Sequence, residues 1–177
     1  MNFEKISMEN LGRIDAETFK EAEKMPVILI LDNIRSAHNI GSIFRTSDAF
    51  RITAIYLTGI CAIPPHKELM KTALGAAETI PWMYFEKVDE AILEAKSNGY
   101  YAVAVEQVTH SIYLQDFKPA TKTAFIFGNE VNGVSEEALA VCDASLEIPQ
   151  FGTKHSFNVS ITTGIILWDT FLKLKTL

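Results

Sequence analysis

The chain has 177 residues, of which 48% are hydrophobic, and a formal net charge of −6, enough for one sizeable core and short for two. No basic stretch leads into an apolar one at its start, and no apolar run nears the roughly 18 residues that span a bilayer. These features predict a soluble, cytoplasmic, single-domain protein over residues 1–177 with a charged leader of about 25 residues.

Cys61 and Cys142 stand far apart without a C-x-x-C pairing, and His38, His66, His110 and His155 show no ligand spacing with them. Neither a structural metal nor a disulfide framework is expected. The acidic total argues against coating nucleic acid by bulk charge. Arg35, His38, Arg45 and Arg51 in one segment, and Lys154 with His155 in another, still allow local positive potential.

In chain order, Asp15 caps a helix in the leader, which otherwise carries no chemistry. The run Val27 to Leu31 is continuously apolar, as in a parallel strand covered on both faces, and Asp32-Asn33 ends it. A helix follows over 39–50, with Ile40, Ile43 and Phe44 on one face and Arg45 off it, above Gly41 one turn earlier. Glycine inside a helix costs about 1 kcal/mol relative to alanine. Either a partner group enters the space beneath Arg45, or Gly41 makes a tight helix-to-strand contact and Arg45 is merely solvated.

Residues 54–59 read as the second strand, Ile63-Pro64-Pro65-His66 as a rigid connection, and 67–77 as a helix with Lys67 and Lys71 one turn apart. The aromatic run Trp82 to Phe85 fits a strand at a sheet edge better than a base-stacking surface, and Val88 to Ser97 a helix stopped at Asn98-Gly99. Buried strands are predicted over 100–106 and 121–128, joined by a segment containing Tyr113-Leu114 and Pro119. In the loop Gly128 to Gly133, Asn132-Gly133 suits positive φ, and Ser135 then caps a helix. Glu130 sits in that loop directly after a strand, where a carboxylate either caps backbone N–H groups or faces a ligand. A last short strand at 146–149 leads through a polar loop into an apolar helix from Ile161 to Leu174. Its terminus suits an anion or cofactor, or simply a polar cap on a core helix.

Strands alternating with helices indicate an α/β domain with a mainly parallel sheet. The loops 32–39, 128–133 and 149–158 each follow a strand, and ligands of open α/β sheets bind beyond the carboxyl ends of strands. Neither phosphate-binding glycine motif nor a G-x-S-x-G elbow occurs. From the residues alone, the candidate site is Asn39, Arg45, Glu130, Ser156 and Asn158.

Three segments, Asn39-Ile-Gly-Ser-Ile-Phe-Arg45, Phe127-Gly-Asn-Glu130-Val-Asn-Gly133-Val-Ser and Ile148-Pro-Gln-Phe-Gly152-Thr-Lys-His-Ser156-Phe-Asn158-Val-Ser160, resemble in order the three motifs of the SpoU (TrmH-like) branch of the SPOUT RNA methyltransferases. The resemblance implies a C-terminal trefoil knot, a homodimer, and methyl transfer from S-adenosylmethionine to a ribose 2′-hydroxyl of tRNA or, next, rRNA. By it, Arg45 is the catalytic arginine, and Asn39, Glu130, Ser156 and Asn158 position Arg45, the ribose or the cofactor. Gly128, Ile148, Phe157, Val105 and Gly133 fall at cofactor-lining positions. The chain departs from the family at Phe157, usually Leu, and Gln150, commonly Met. The alternative is a non-catalytic RNA-binding or assembly protein on the same fold. No separate RNA-binding domain is expected, so RNA contacts fall to this domain and its dimer. The last helix supports the dimer independently, with one stripe of Ile161, Ile165, Trp168 and Leu172 and a second of Leu167, Phe171 and Leu174. The other reading is a helix buried within one subunit.

Overall fold

The computed structural model describes residues 2–154 and 156–174, so His155 lies outside the described residues. Seven strands, β1 (Met25–Asp32), β2 (Ile52–Thr58), β3 (Trp82–Phe85), β4 (Tyr101–Val105), β5 (Ile112–Tyr113), β6 (Thr123–Phe127) and β7 (Ala144–Glu147), form one sheet in the order β3-β2-β1-β6-β4-β7-β5. Every pairing is parallel. The helices are α1 (Ala16–Glu21), α2 (Ala37–Ala49), α3 (Lys67–Ala73), α4 (Ala76–Thr79), α5 (Val88–Ser97), α6 (Glu136–Val141) and α7 (Val159–Leu174).

Side chains alternate across a strand, so the unbroken apolar run of β1 feeds two cores at once. Val27, Leu29 and Leu31 join Ile40, Ile43, Phe44, Leu69 and Leu167 of α2, α3 and α7 on one face. Ile28 and Ile30 join Val88, Ile92 and Ala138 of α5 and α6 on the other. The fold is therefore a helix–sheet–helix sandwich whose strand ends point to one rim. Among the described residues no helix is long and apolar enough to cross a membrane.

Local signals account for most boundaries. Asp15 accepts from the Thr18 N–H at 2.8 Å, and Ser135 caps α6 through the Ala138 N–H. Ser36, not singled out by the sequence pattern, caps α2 by accepting from the Asn39 N–H at 3.2 Å, so that helix begins at Ala37. β3 lies at the sheet edge with Phe85 against Tyr56, ring centroids 5.1 Å apart, in the packing role expected of its aromatics.

Three expectations need correction. The helix predicted over 67–77 is broken into α3 and α4, because Leu74 and Gly75 take left-handed φ of 49° and 92°. The last strand spans Ala144–Glu147 and leaves Ile148 and Pro149 in the following loop. Gly41 faces neither a strand nor an open pocket. A methyl group placed on it would lie 2.0 Å from Thr72 Oγ1 and 2.3 Å from the Leu69 carbonyl oxygen, so the missing side chain lets α2 and α3 touch.

The two stripes of α7 divide largely as expected. Leu167 is fully buried and Phe171 and Leu174 pack against the core, while Ile161, Trp168 and Leu172 are 56%, 54% and 51% exposed. Ile165 is the exception, partly buried against the core.

Candidate active site

Beyond the carboxyl ends of β4, β6 and β7 lies a cleft of about 520 Å3, within the roughly 300–1,000 Å3 of small-molecule sites. Its apolar floor is Val105, Phe127, Leu146 and Ile148, and its walls are the loops around 129–133 and 150–158. The first of these loops is anchored just past Gly133 by two acids that end or follow buried strands, each accepting a backbone N–H of Val134 or Ser135. Asp32, 1% exposed, accepts from the Asn33 side chain and from the Ser135 N–H, both at 2.8 Å. Glu106 accepts from the Gln107 and Val134 N–H groups, both at 2.9 Å.

Glu130 accepts from the N–H groups of Arg35 at 3.1 Å and Ser36 at 3.4 Å, and from the Asn39 side-chain amide at 3.1 Å. Partial burial pushes its carboxyl up. The backbone donors, its own and that of Arg35, with the Asn39 amide and the Ser36 N–H, outweigh this and hold it below its ordinary value. Of the two roles open to Glu130, the structure shows the capping one. Asn39 Oδ1 in turn accepts from the Asn158 amide at 3.2 Å, and Asn158 Oδ1 accepts from the Ser160 N–H at 2.9 Å at the start of α7. One hydrogen-bonded chain thus joins loops after β1, β6 and β7.

The 129–133 loop closes on itself, with Asn129 and Gly133 exchanging two backbone hydrogen bonds of 2.9 Å. Gly133 has φ 71°, and a methyl group on it would fall 2.2 Å from Glu106 Oε2. A methyl group on Gly128 would fall 2.0 Å from the Gly133 carbonyl carbon. Both glycines are therefore demanded by loop packing, which brings bare backbone to the cleft.

The cleft carries Glu106, Glu130 and Glu147 and, among its described lining residues, no Lys, Arg or His. A phosphate-bearing ligand finds no cationic partner among these residues. A ligand with an apolar ring and a positive charge fits. No group of three or more His, Cys, Asp or Glu gathers to hold a metal among the described residues. Burial pushes the thiols of Cys61 and Cys142 up to about 11 and about 12, so neither is a ready nucleophile.

Residues 26–168 match the model of the SpoU rRNA methylase family. The chain belongs to the SpoU family. It is 32% identical over 155 residues to a tRNA (guanosine(18)-2′-O)-methyltransferase of Aquifex aeolicus, covering 84% of this chain and 70% of that one. It is 30% identical over 154 residues to a 23S rRNA (guanosine-2′-O-)-methyltransferase of Neisseria meningitidis, covering 87% of this chain but 61% of the relative. Among solved structures, the A. aeolicus TrmH/SpoU tRNA modifying enzyme matches with a TM-score of 0.79 at 26% identity, covering 90% of this chain and 80% of that one. The AdoMet-bound rRNA methyltransferase of Sinorhizobium meliloti matches with a TM-score of 0.77 at 25% identity, covering 88% and 60%.

Within this SpoU-family fold, eight of the ten predicted site residues line the cleft: Val105, Gly128, Glu130, Gly133, Ile148, Ser156, Phe157 and Asn158. Asn39 joins them through Glu130 and Asn158. Arg45 does not. It stands exposed on α2, outside the lining, with no hydrogen bond or ion pair among the described residues. Sequence reasoning missed Glu106 and the Asn129 brace, whose amide donates to the Asn33 carbonyl at 2.7 Å. Glu106 carried the same signal that marked Glu130, an acid directly after a buried strand.

Proposed function

We propose that this chain is an S-adenosylmethionine-dependent RNA ribose 2′-O-methyltransferase, acting on tRNA first and rRNA next. The observation that carries the reading is the Glu130–Asn39–Asn158 chain, which ties all three SpoU-like motifs together at an acidic, apolar-floored cleft. The residues fit the cofactor: the partly exposed Val105 and Ile148, backed by the buried Phe127 and Leu146, offer apolar faces for adenine, and three glutamates favour a cation. The departures Phe157 and Gln150 both line this cleft without closing it.

When bound, the cofactor supplies an electrophilic sulfonium methyl group. The chain's own work is to align a ribose hydroxyl with it and ease loss of the hydroxyl proton. A guanidinium donates hydrogen bonds and accepts none, so Arg45 orients the neighbouring phosphate and stabilises alkoxide charge rather than acting as a base. Asn39 and Asn158, locked to each other and to Glu130, hold the ribose, and the exposed Ser156 hydroxyl at the cleft mouth serves the same positioning.

Arg45 lies outside its own cleft, which supports a homodimer in which the site is completed between copies. The exposed stripe of Ile161, Trp168 and Leu172 on α7 is the surface for it. The trefoil knot belongs to the same reading. It is supported by the path of the chain, which inserts β6 between β1 and β4 and β7 between β4 and β5 before α7 returns onto α2. RNA is gripped by this domain and its dimer, and the enzyme acts in the cytoplasm, where its substrates are.

Incubation with labelled S-adenosylmethionine and total RNA tests the activity. Label is expected in 2′-O-methylated nucleotides, and its absence where an active relative works sinks the claim. Calorimetry separates the non-catalytic alternative, which predicts no cofactor heat.

A further inference from the structure

Glu106 is a half-buried carboxylate in the cleft to which the mechanism above gives no task beyond its share of the cleft's negative charge. Its two oxygens are aimed by backbone donors, Oε1 by the Gln107 N–H and Oε2 by the Val134 N–H. An ionised carboxylate offers about four lone-pair sites, so about two remain unused. No Lys, Arg or His of the described residues pairs with it. The neighbouring acceptors are already engaged: Glu130 by the start of α2, and Asn129 Oδ1 by the N–H groups of Val131 and Asn132.

We propose that Glu106 holds the ribose of the cofactor's adenosine, its free lone pairs accepting the 2′- and 3′-hydroxyls, and so makes the site selective for a ribonucleoside. The inference rests on the methyltransferase reading. A carboxylate just past a parallel strand, beside a cleft that takes a nucleoside, is the acceptor that vicinal hydroxyls require. Charge-assisted hydrogen bonds are roughly twice as strong as neutral ones, and two backbone donors hold this carboxylate still, so little ordering is left to binding. Gly133 completes the arrangement. Its missing side chain, which would collide with Oε2 at 2.2 Å, lets the loop close over the carboxylate.

Calorimetric titration of the full chain with adenosine, 2′-deoxyadenosine, 3′-deoxyadenosine, S-adenosylmethionine and S-adenosylhomocysteine tests this without turnover. Wild type should bind each deoxynucleoside about tenfold or more weakly than adenosine. Glu106→Gln should weaken adenosine and both cofactor forms alike, by about tenfold, and should shrink the deoxynucleoside penalty. A full penalty persisting in Glu106→Gln overturns the assignment, as does a loss confined to the sulfonium form, which would make Glu106 a partner of charge. Should thermal melting show that Glu106→Gln does not fold, the wild-type series decides: the penalty supports the assignment and equal affinities overturn it. A wild type that binds no adenosine compound overturns the methyltransferase reading and this inference with it, whereas tight binding without a deoxynucleoside penalty removes only the latter.

Discussion

The cleft is lined by three glutamates with no Lys, Arg or His among its described residues, whereas the neighbouring surface of α2, the loop before it and α3 exposes Arg35, Arg45, Lys67 and Lys71. On that surface His38 is paired with Glu68 at 2.7 Å. The two regions meet at Glu130, a residue of the cleft lining whose carboxylate caps the start of α2. A net charge of −6 describes neither region. The fold sorts charge locally, so that one domain presents surfaces of opposite sign.

The largest effect should come from the arginine of the basic face. Arg45→Ala is expected to lower methyl transfer by roughly 10²–10³-fold, as for removal of a donor to developing negative charge. Cofactor affinity by calorimetry should be unchanged, because Arg45 lies outside the cleft lining. Arg45→Lys should recover little, since an ammonium lacks the planar fork. Unchanged turnover in Arg45→Ala would detach the basic face from the chemistry.

The junction between α2 and α3 comes next. Gly41→Ala gains about 1 kcal/mol of helix propensity, yet its methyl group meets the Leu69 carbonyl at 2.3 Å, and backbone cannot rotate away as Thr72 Oγ1 can. A net loss of about 1–3 kcal/mol is expected in urea denaturation. Equal stability would mean that the two helices separate easily, and that the basic face is not one rigid surface.

At the border of the two regions, Glu130→Gln should cost about 1 kcal/mol at neutral pH, kept low by the exposure of the site. Because the folded-state carboxyl is held below its ordinary 4.5, its contribution is full above that value and fades as pH falls below it. The gap between wild type and Glu130→Gln in denaturation experiments should therefore close on acidification from neutral pH. A gap independent of pH would locate the effect in packing rather than in the carboxylate.

The regions also differ in how legibly the sequence announces them. The two-sided apolar run of β1 and the acid after β6 are local patterns, and both are found where expected. The hydrogen bond from Asn39 to Glu130 joins residues 91 apart, and no periodicity reports it. The insertion of β6 between β1 and β4 is likewise a choice of topology that apolar strands leave open. β5 escaped notice because its Ile112 and Tyr113 are both exposed at the sheet edge, with no apolar alternation to read. The break in the helix over 67–77 was signalled by Gly75, but Leu74, a good helix former held at φ 49°, masked it.

The smallest effect is expected from the lysines of α3, and it tests whether the basic face grips RNA at large or only through Arg45. Lys67 and Lys71 are one turn apart and exposed, with no hydrogen bond or ion pair among the described residues. Removing one lysine–phosphate interaction should lower the slope of log affinity against log salt by roughly 0.7–0.9, so the double substitution to alanine should lower it by roughly 1.4–1.8. Filter binding across a salt series reads this slope directly, and S-adenosylmethionine affinity serves as the control for the cleft. A slope that does not move would place the RNA on the α7 side of the domain, and Arg45 would then be an isolated charge rather than part of a surface.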